Sequence, residues 1–168
     1  GMGIRLPGIK SYLRLNKNGL LDFHVVDGYT IVVANGVGGG SLVIGGFIDE
    51  PPADIYDHYP PEITKEEMKK HFDAVAKVVE PCVAPKPTRY QERIDKACSN
   101  IPGLEAKPQR TSMWYGDGPD TDQTRINQFG MEQRNCNYQA NCLTGCSRGA
   151  KNSMDITFLQ TVLQRDGE

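Results

Sequence analysis

The 168-residue chain is poor in aromatic side chains, at 8%, with one tryptophan. Hydrophobic residues reach 38% and mean hydropathy is −0.49. That is thin for an independent core and predicts a loop-rich body that leans on other polypeptide. Neither sign of charge dominates: the formal net charge is −2 and the pI about 6.0. A near-neutral chain gives no electrostatic case for nucleic acid or an anionic membrane surface. No apolar run reaches the roughly 18 residues a membrane span requires. Residues 1–20 lack the apolar core of a secretory leader, so a cytoplasmic location is expected. Gly1-Met2 reads as a cleavage remnant ahead of a native start at Met2. No repeat or low-complexity tract interrupts the sequence.

Glycine and proline are plentiful, at 18 and 11 residues. The chain reads as a single partial domain, 1–168, in four stretches: 1–60, a helical 61–100, a long loop at 101–135, and a Cys-rich turn with a final helix at 136–168. Leu20, Leu21, Phe23 and Val25 suggest extended structure leading into a strand at 30–34. Thr64 with Glu67 three residues later is a capping box. Met68, Phe72, Val75 and Val79 follow on one apolar face, and Glu80-Pro81 closes that helix. A second helix starts at Thr88, with Gln91 as reciprocal cap and Tyr90, Ile94, Ala97 and Cys98 turned inward. Residues 99–135 show little periodicity, which suggests a functional or partner-ordered loop. The last helix spans about 153–165 and presents Ile156, Leu159, Val162 and Leu163. The expected fold is α+β, with few strands, about three helices and no complete Rossmann unit.

Asn35-Gly36-Val37-Gly38-Gly39-Gly40-Ser41-Leu42 is the most informative stretch. A backbone without side chains lets a ligand approach the main chain, and its N–H groups suit a phosphate or the edge of a flat cofactor. Buried-looking flanks, Ile31, Val32 and Val33 before it and Leu42, Val43 and Ile44 after, argue against a flexible hairpin tip. A dinucleotide fingerprint fails: the third glycine is missing, Pro51-Pro52 would break the crossover helix, and no acidic strand end follows. A Walker A loop fails for want of a closing Gly-Lys-Ser/Thr.

Two segments carry a family resemblance. Ala34-Asn35-Gly36-Val37-Gly38-Gly39-Gly40-Ser41-Leu42-Val43 resembles the second flavin-contacting segment of glucose–methanol–choline (GMC) oxidoreductases, especially the branch that resembles cholesterol oxidases. Gly149-Ala150-Lys151-Asn152-Ser153-Met154-Asp155-Ile156-Thr157-Phe158-Leu159 resembles that branch's Gly-Ala-Lys-Asn-Ser-Leu-Asp-x-Thr-Tyr-Leu segment. The two occur in the family's order. The resemblance implies FAD as cofactor, with Asn35, Gly36, Val37, Gly38, Gly39, Gly40, Ser41, Leu42 and Ile44 beside it. Ile44 stands where the family usually has Asn or His, so hydrogen bonding to the flavin is lost there. Lys151, Asn152 and Ser153 would hold their segment against the flavin domain. The family's opening Rossmann fingerprint and its closing catalytic His have no counterpart in these residues, and no catalytic residue is assigned. The chain thus resembles an internal slice: a truncated product, a split subunit or a cloned fragment.

Cysteines number five. An odd count without an export signal argues against a disulfide framework. Cys82 and Cys98 sit near helix ends as core thiols. Cys136, Cys142 and Cys146 fall as Cys-x5-Cys-x3-Cys and could converge on one metal centre, or pack as ordinary thiols. Structural zinc needs a fourth ligand, and His24, His58 and His71 are distant in sequence. Some dehydrogenases in the resembled family carry a 3Fe–4S cluster on three similarly spaced cysteines, where related sequences place another Cys at the position of Gln139. Trp114-Tyr115 could line a pocket, with ordinary packing the alternative. Asp117, Asp120 and Asp122 do not complete an EF-hand.

These readings lead to part of an FAD-dependent oxidoreductase acting on CH–OH groups of a sterol, sugar or other small alcohol. Its partners would be the remaining segments or subunits of the flavoenzyme. The alternatives are an electron-relay module with an iron–sulfur cluster on the three cysteines, and an inert fragment. As isolated, the chain is expected to be colourless.

Overall fold

The computed structural model describes residues 12–15 and 18–165. It is a mixed α and β structure with three α-helices and two small sheets, as expected. Every strand pairing is antiparallel, so the described residues contain no Rossmann unit. No helix among them is long and apolar enough to cross a membrane.

Strands β1 (Tyr12–Leu15), β2 (Leu21–Val26) and β3 (Tyr29–Ala34) form a meander in that order. Asp27 and Gly28 join β2 to β3 with φ of 47° and 86°, the doubly positive pattern of the tight hairpin turn that matches strand twist. Register is fixed from Leu21 opposite Ala34 to Val26 opposite Tyr29. The flanking apolar residues are not buried: Ile31, Val32 and Val33 are 53%, 50% and 45% exposed. The buried residue of β2 is instead Asp22, held by the Arg14 guanidinium through Nε and Nη2 and lying 3.3 Å from His24 Nε2. The meander thus buries a carboxylate and exposes aliphatics.

Helix α1 (Lys65–Val79) begins at its expected cap, Thr64 Oγ1 accepting from Glu67 N at 3.1 Å, while the Glu67 carboxylate pairs with Lys70. It ends at Glu80, whose φ of 48° turns the chain toward Pro81. Met68, Phe72 and Val79 face inward, whereas Val75 is exposed. Helix α2 (Arg89–Cys98) is capped by Thr88 accepting from Gln91 N at 3.1 Å. The Gln91 side chain does not reach back; it donates forward to Asp95 at 2.6 Å. Tyr90 and Ala97 are exposed and only Ile94 and Cys98 of the expected face are half-buried. Helix α3 (Phe158–Arg165) follows a 3-10 turn at Met154–Ile156, so the single helix expected from about 153 is in two pieces.

The largest departure lies in 101–135, read as a long loop. Residues 111–115 form the spine of the structure. Thr111 exchanges backbone hydrogen bonds with Cys82 at 2.8 and 3.0 Å, and Ser112 N donates to Gly46 O at 2.8 Å. Trp114 N donates to Ala150 O, Asn152 N to Ser112 O and Cys136 N to Trp114 O, each at 2.8 Å. Strands β4 (Thr124–Ile126) and β5 (Glu132–Arg134) add a short hairpin. Side-chain amides fill the interior around it. Gln133 Nε2 donates to Gly149 O and Asn152 Oδ1, both at 2.8 Å, and Asn152 Nδ2 donates to Val79 O at 2.9 Å. Asn135 Nδ2 donates to Gly118 O and Thr121 O at 2.8 and 3.1 Å. Buried polar groups are tolerable only when paired in this way. Among the described residues, the buried apolar side chains are Val79, Met113, Tyr115 and Ala150.

Candidate functional site

The glycine stretch emerges from β3 and becomes a 3-10 turn, Gly39–Leu42. Asn35 N donates to Leu20 O at 2.7 Å, Gly39 N to Gly36 O at 3.0 Å, and Ser41 Oγ to Gly38 O at 2.7 Å. The glycines divide by task. A Cβ on Gly36 would meet Leu42 Cδ1 at 3.0 Å, and one on Gly38 would meet Leu42 Cδ2 at 3.1 Å and Asp155 N at 3.2 Å. Gly38 also has φ of 104°, a conformation that favours glycine. These two glycines allow close packing. Gly39 and Gly40 face open space, with no heavy atom within 4 Å of where a Cβ would stand. Val37 is 75% and Ile44 50% exposed, so the outer side of the turn is bare backbone between aliphatic side chains.

The second motif packs behind this turn. Lys151 is 2% exposed, and its ammonium donates to Leu42 O at 2.8 Å, Ile44 O at 2.9 Å and Cys142 O at 2.9 Å. Three ammonium hydrogens thus meet three carbonyls. Burial pushes the Lys151 pKa below the usual lysine value, and the nearby Cys142, Cys146 and Asp155 oppose that shift. Met154 N donates to Ser41 Oγ at 2.9 Å, and Ser153 Oγ to Asp155 Oδ1 at 2.5 Å. Residues more than a hundred positions apart are therefore sewn together.

The thiol segment forms the third part. Cys142–Thr144 is a 3-10 turn ended by Gly145 at φ 103°. Tyr138 and Ala140 hold φ of 61° and 57°, left-handed conformations that cost about 1–3 kcal/mol each outside glycine. Cys136, Cys142 and Cys146 line one cavity of about 20 Å³ together with Asn137, Arg148 and Met113. Asn137 Oδ1 is buried there without a hydrogen-bond partner. Burial raises the Cys136 thiol pKa, and the other two thiols add to the shift. Among the described residues no group of three or more His, Cys, Asp or Glu is disposed to hold a metal ion. The cavity has room for about one water, so an iron–sulfur cluster does not fit the three cysteines as they stand.

Other candidates serve the packing. Tyr115 is buried, its hydroxyl 2.8 Å from Thr111 Oγ1, and burial pushes its pKa up to about 12. Trp114 lies under Arg125, whose guanidinium carbon is 4.8 Å from the ring centroid. Asp120 pairs with Lys86 at 2.8 Å, Asp122 with Arg134 and Arg148 at 2.6 Å, and Asp117 accepts from Gln123, so the three carboxylates do not converge. Cys82 Sγ donates to Met113 O at 3.2 Å, in keeping with a core thiol. His71 lies 3.9 Å from Glu67, and His58 ends the 3-10 turn Ala53–His58. What the sequence did not reveal is the set of carbonyls around Lys151 and the unpaired Asn137 oxygen.

No family model matches the chain, and no solved structure matches it. A cholesterol oxidase from Acinetobacter baumannii is 24% identical over 164 residues, which cover 91% of this chain and 28% of that protein. The chain thus spans little more than a quarter of its relative's length, and the likeness is a distant link to that kind of enzyme.

Proposed function

We propose that this chain is part of an FAD-dependent oxidoreductase that acts on the CH–OH group of a small alcohol, a sterol or sugar among them. The observation that supports it best is the Lys151 ammonium joining the two segments that resemble flavoenzyme motifs. A distant likeness to a cholesterol oxidase points the same way. When bound, FAD would accept the hydride of the CH–OH carbon. In this reading Gly39 and Gly40 present bare main chain to the cofactor, and Gly36 and Gly38 let the turn sit close to residues 153–155. Lys151 fixes the carbonyls of Leu42 and Ile44 inward, which preorganises the turn. Ile44 adds an apolar contact in place of a hydrogen-bond donor. The remaining segments or subunits of the flavoenzyme would supply the rest of the cofactor site and the proton acceptor.

FAD titration, followed by flavin fluorescence, tests the reading. The expected result is weak saturable binding that Gly40→Val reduces at least tenfold with an unchanged circular-dichroism spectrum. The space beside Gly40 makes that substitution harmless to the fold. Absence of saturation up to millimolar FAD, or equal binding by the variant, would remove the assignment.

A further inference from the structure

We propose that Cys142 and Cys146 form a reversible disulfide whose closure loosens the glycine turn through Lys151. Both thiols are half-buried and free, and both line the same small cavity. Cys142 opens the 3-10 turn and Cys146 follows four residues later, just past the reversal at Gly145. The segment leading into them holds two non-glycine residues, Tyr138 and Ala140, in left-handed conformations, strain that the surrounding packing must sustain. Cys142 and Cys146 line the same small cavity, the placement that paired thiol chemistry requires.

Cys136 is the less suitable member. Its backbone is tied to the spine through Trp114 O at 2.8 Å, and its thiol is held protonated by burial. Cys142 and Cys146 instead flank the short turn that ends at Gly145, and the carbonyl of Cys142 is held by Lys151. With hydrogen peroxide as oxidant, one thiol gives up its proton, its sulfur attacks a peroxide oxygen, the O–O bond breaks, and the leaving hydroxide takes up that proton as water. The second thiol then attacks the resulting sulfenic sulfur; the S–S bond forms, the S–O bond breaks and a second water leaves. Two thiols and hydrogen peroxide thus give one disulfide and two waters. The carbonyl of Cys142 is one of three acceptors on Lys151 Nζ. Moving that carbonyl leaves the ammonium short of a partner and weakens its hold on Leu42 and Ile44.

The test is a thiol count on the intact protein after brief exposure to a few equivalents of hydrogen peroxide, followed by denaturation. The five thiols should fall by two, with a Cys142–Cys146 peptide about 2 Da lighter than the reduced form; dithiothreitol should restore both. Cys136→Ser should still lose two thiols, whereas Cys142→Ser and, as a second check on folding, Cys142→Ala should form no disulfide. Amide hydrogen exchange at residues 42–45 should rise at least tenfold in the oxidised protein. Five surviving thiols, a bond that includes Cys136, unchanged exchange at 42–45, or stoichiometric iron and acid-labile sulfide in the purified protein would each overturn the proposal.

Discussion

The β1–β3 meander and the 111–115 spine use their residues in opposite ways. The meander carries the denser aliphatic pattern, yet it leaves Ile31, Val32 and Val33 about half exposed and buries Asp22. The spine is flanked by asparagine, glutamine, threonine and serine, yet four of its five residues are buried. Burial follows hydrogen-bond satisfaction here more closely than hydropathy. Each buried amide of the spine has carbonyl or amide partners, so its desolvation is offset. The aliphatic row of β3 stays about half exposed, so little of its apolar surface is removed from water.

Substitutions and acid should separate the two regions. Lys151→Met should have the largest effect, about 2–4 kcal/mol by chemical denaturation, because it strands the carbonyls of Leu42, Ile44 and Cys142 in the interior. A loss below about 0.5 kcal/mol would show that the hub holds nothing together. Acid should act next, on the meander. The Arg14 guanidinium beside Asp22 keeps that carboxyl below its ordinary value of 3.8 despite burial, and His24 helps. A carboxylate with a depressed folded pKa contributes stability above its unfolded pKa and loses it as pH falls through the folded one. Hydrogen exchange at residues 21–34 should therefore accelerate below about pH 4 before exchange at 111–115 does. Simultaneous loss would contradict the comparison. Ile31→Thr should be smallest, within about 0.5 kcal/mol, since that side chain is 53% exposed. A cost above about 1.5 kcal/mol would mean that the aliphatic row is covered in solution.

Local chemistry was legible. Thr64 and Thr88 mark two helix starts because a hydroxyl before an apolar-periodic run has few other uses. The strand at 30–34 and the glycine turn were legible for the same local reason. The spine was not, because Asn127, Gln133 and Asn135 carry loop chemistry in isolation and become interior residues only through partners such as Gly149, Asn152 and Thr121. Sequence placed the two halves of the candidate site but not the way they join. A lysine is among the side chains least often buried, and nothing near Lys151 in sequence announces three carbonyls. The cysteine spacing was legible; the common cavity was visible only in three dimensions.

The partners of Lys151 are neutral oxygens, and that shapes how the molecule answers its solvent. Molar sodium chloride should mute the outer pairs, such as Lys86 with Asp120, because their attraction crosses screened water. An ammonium whose hydrogen bonds all go to buried carbonyls is held by dipoles that dissolved ions screen far less. Salt strips the periphery and leaves the glycine turn and the 149–159 segment moored to each other.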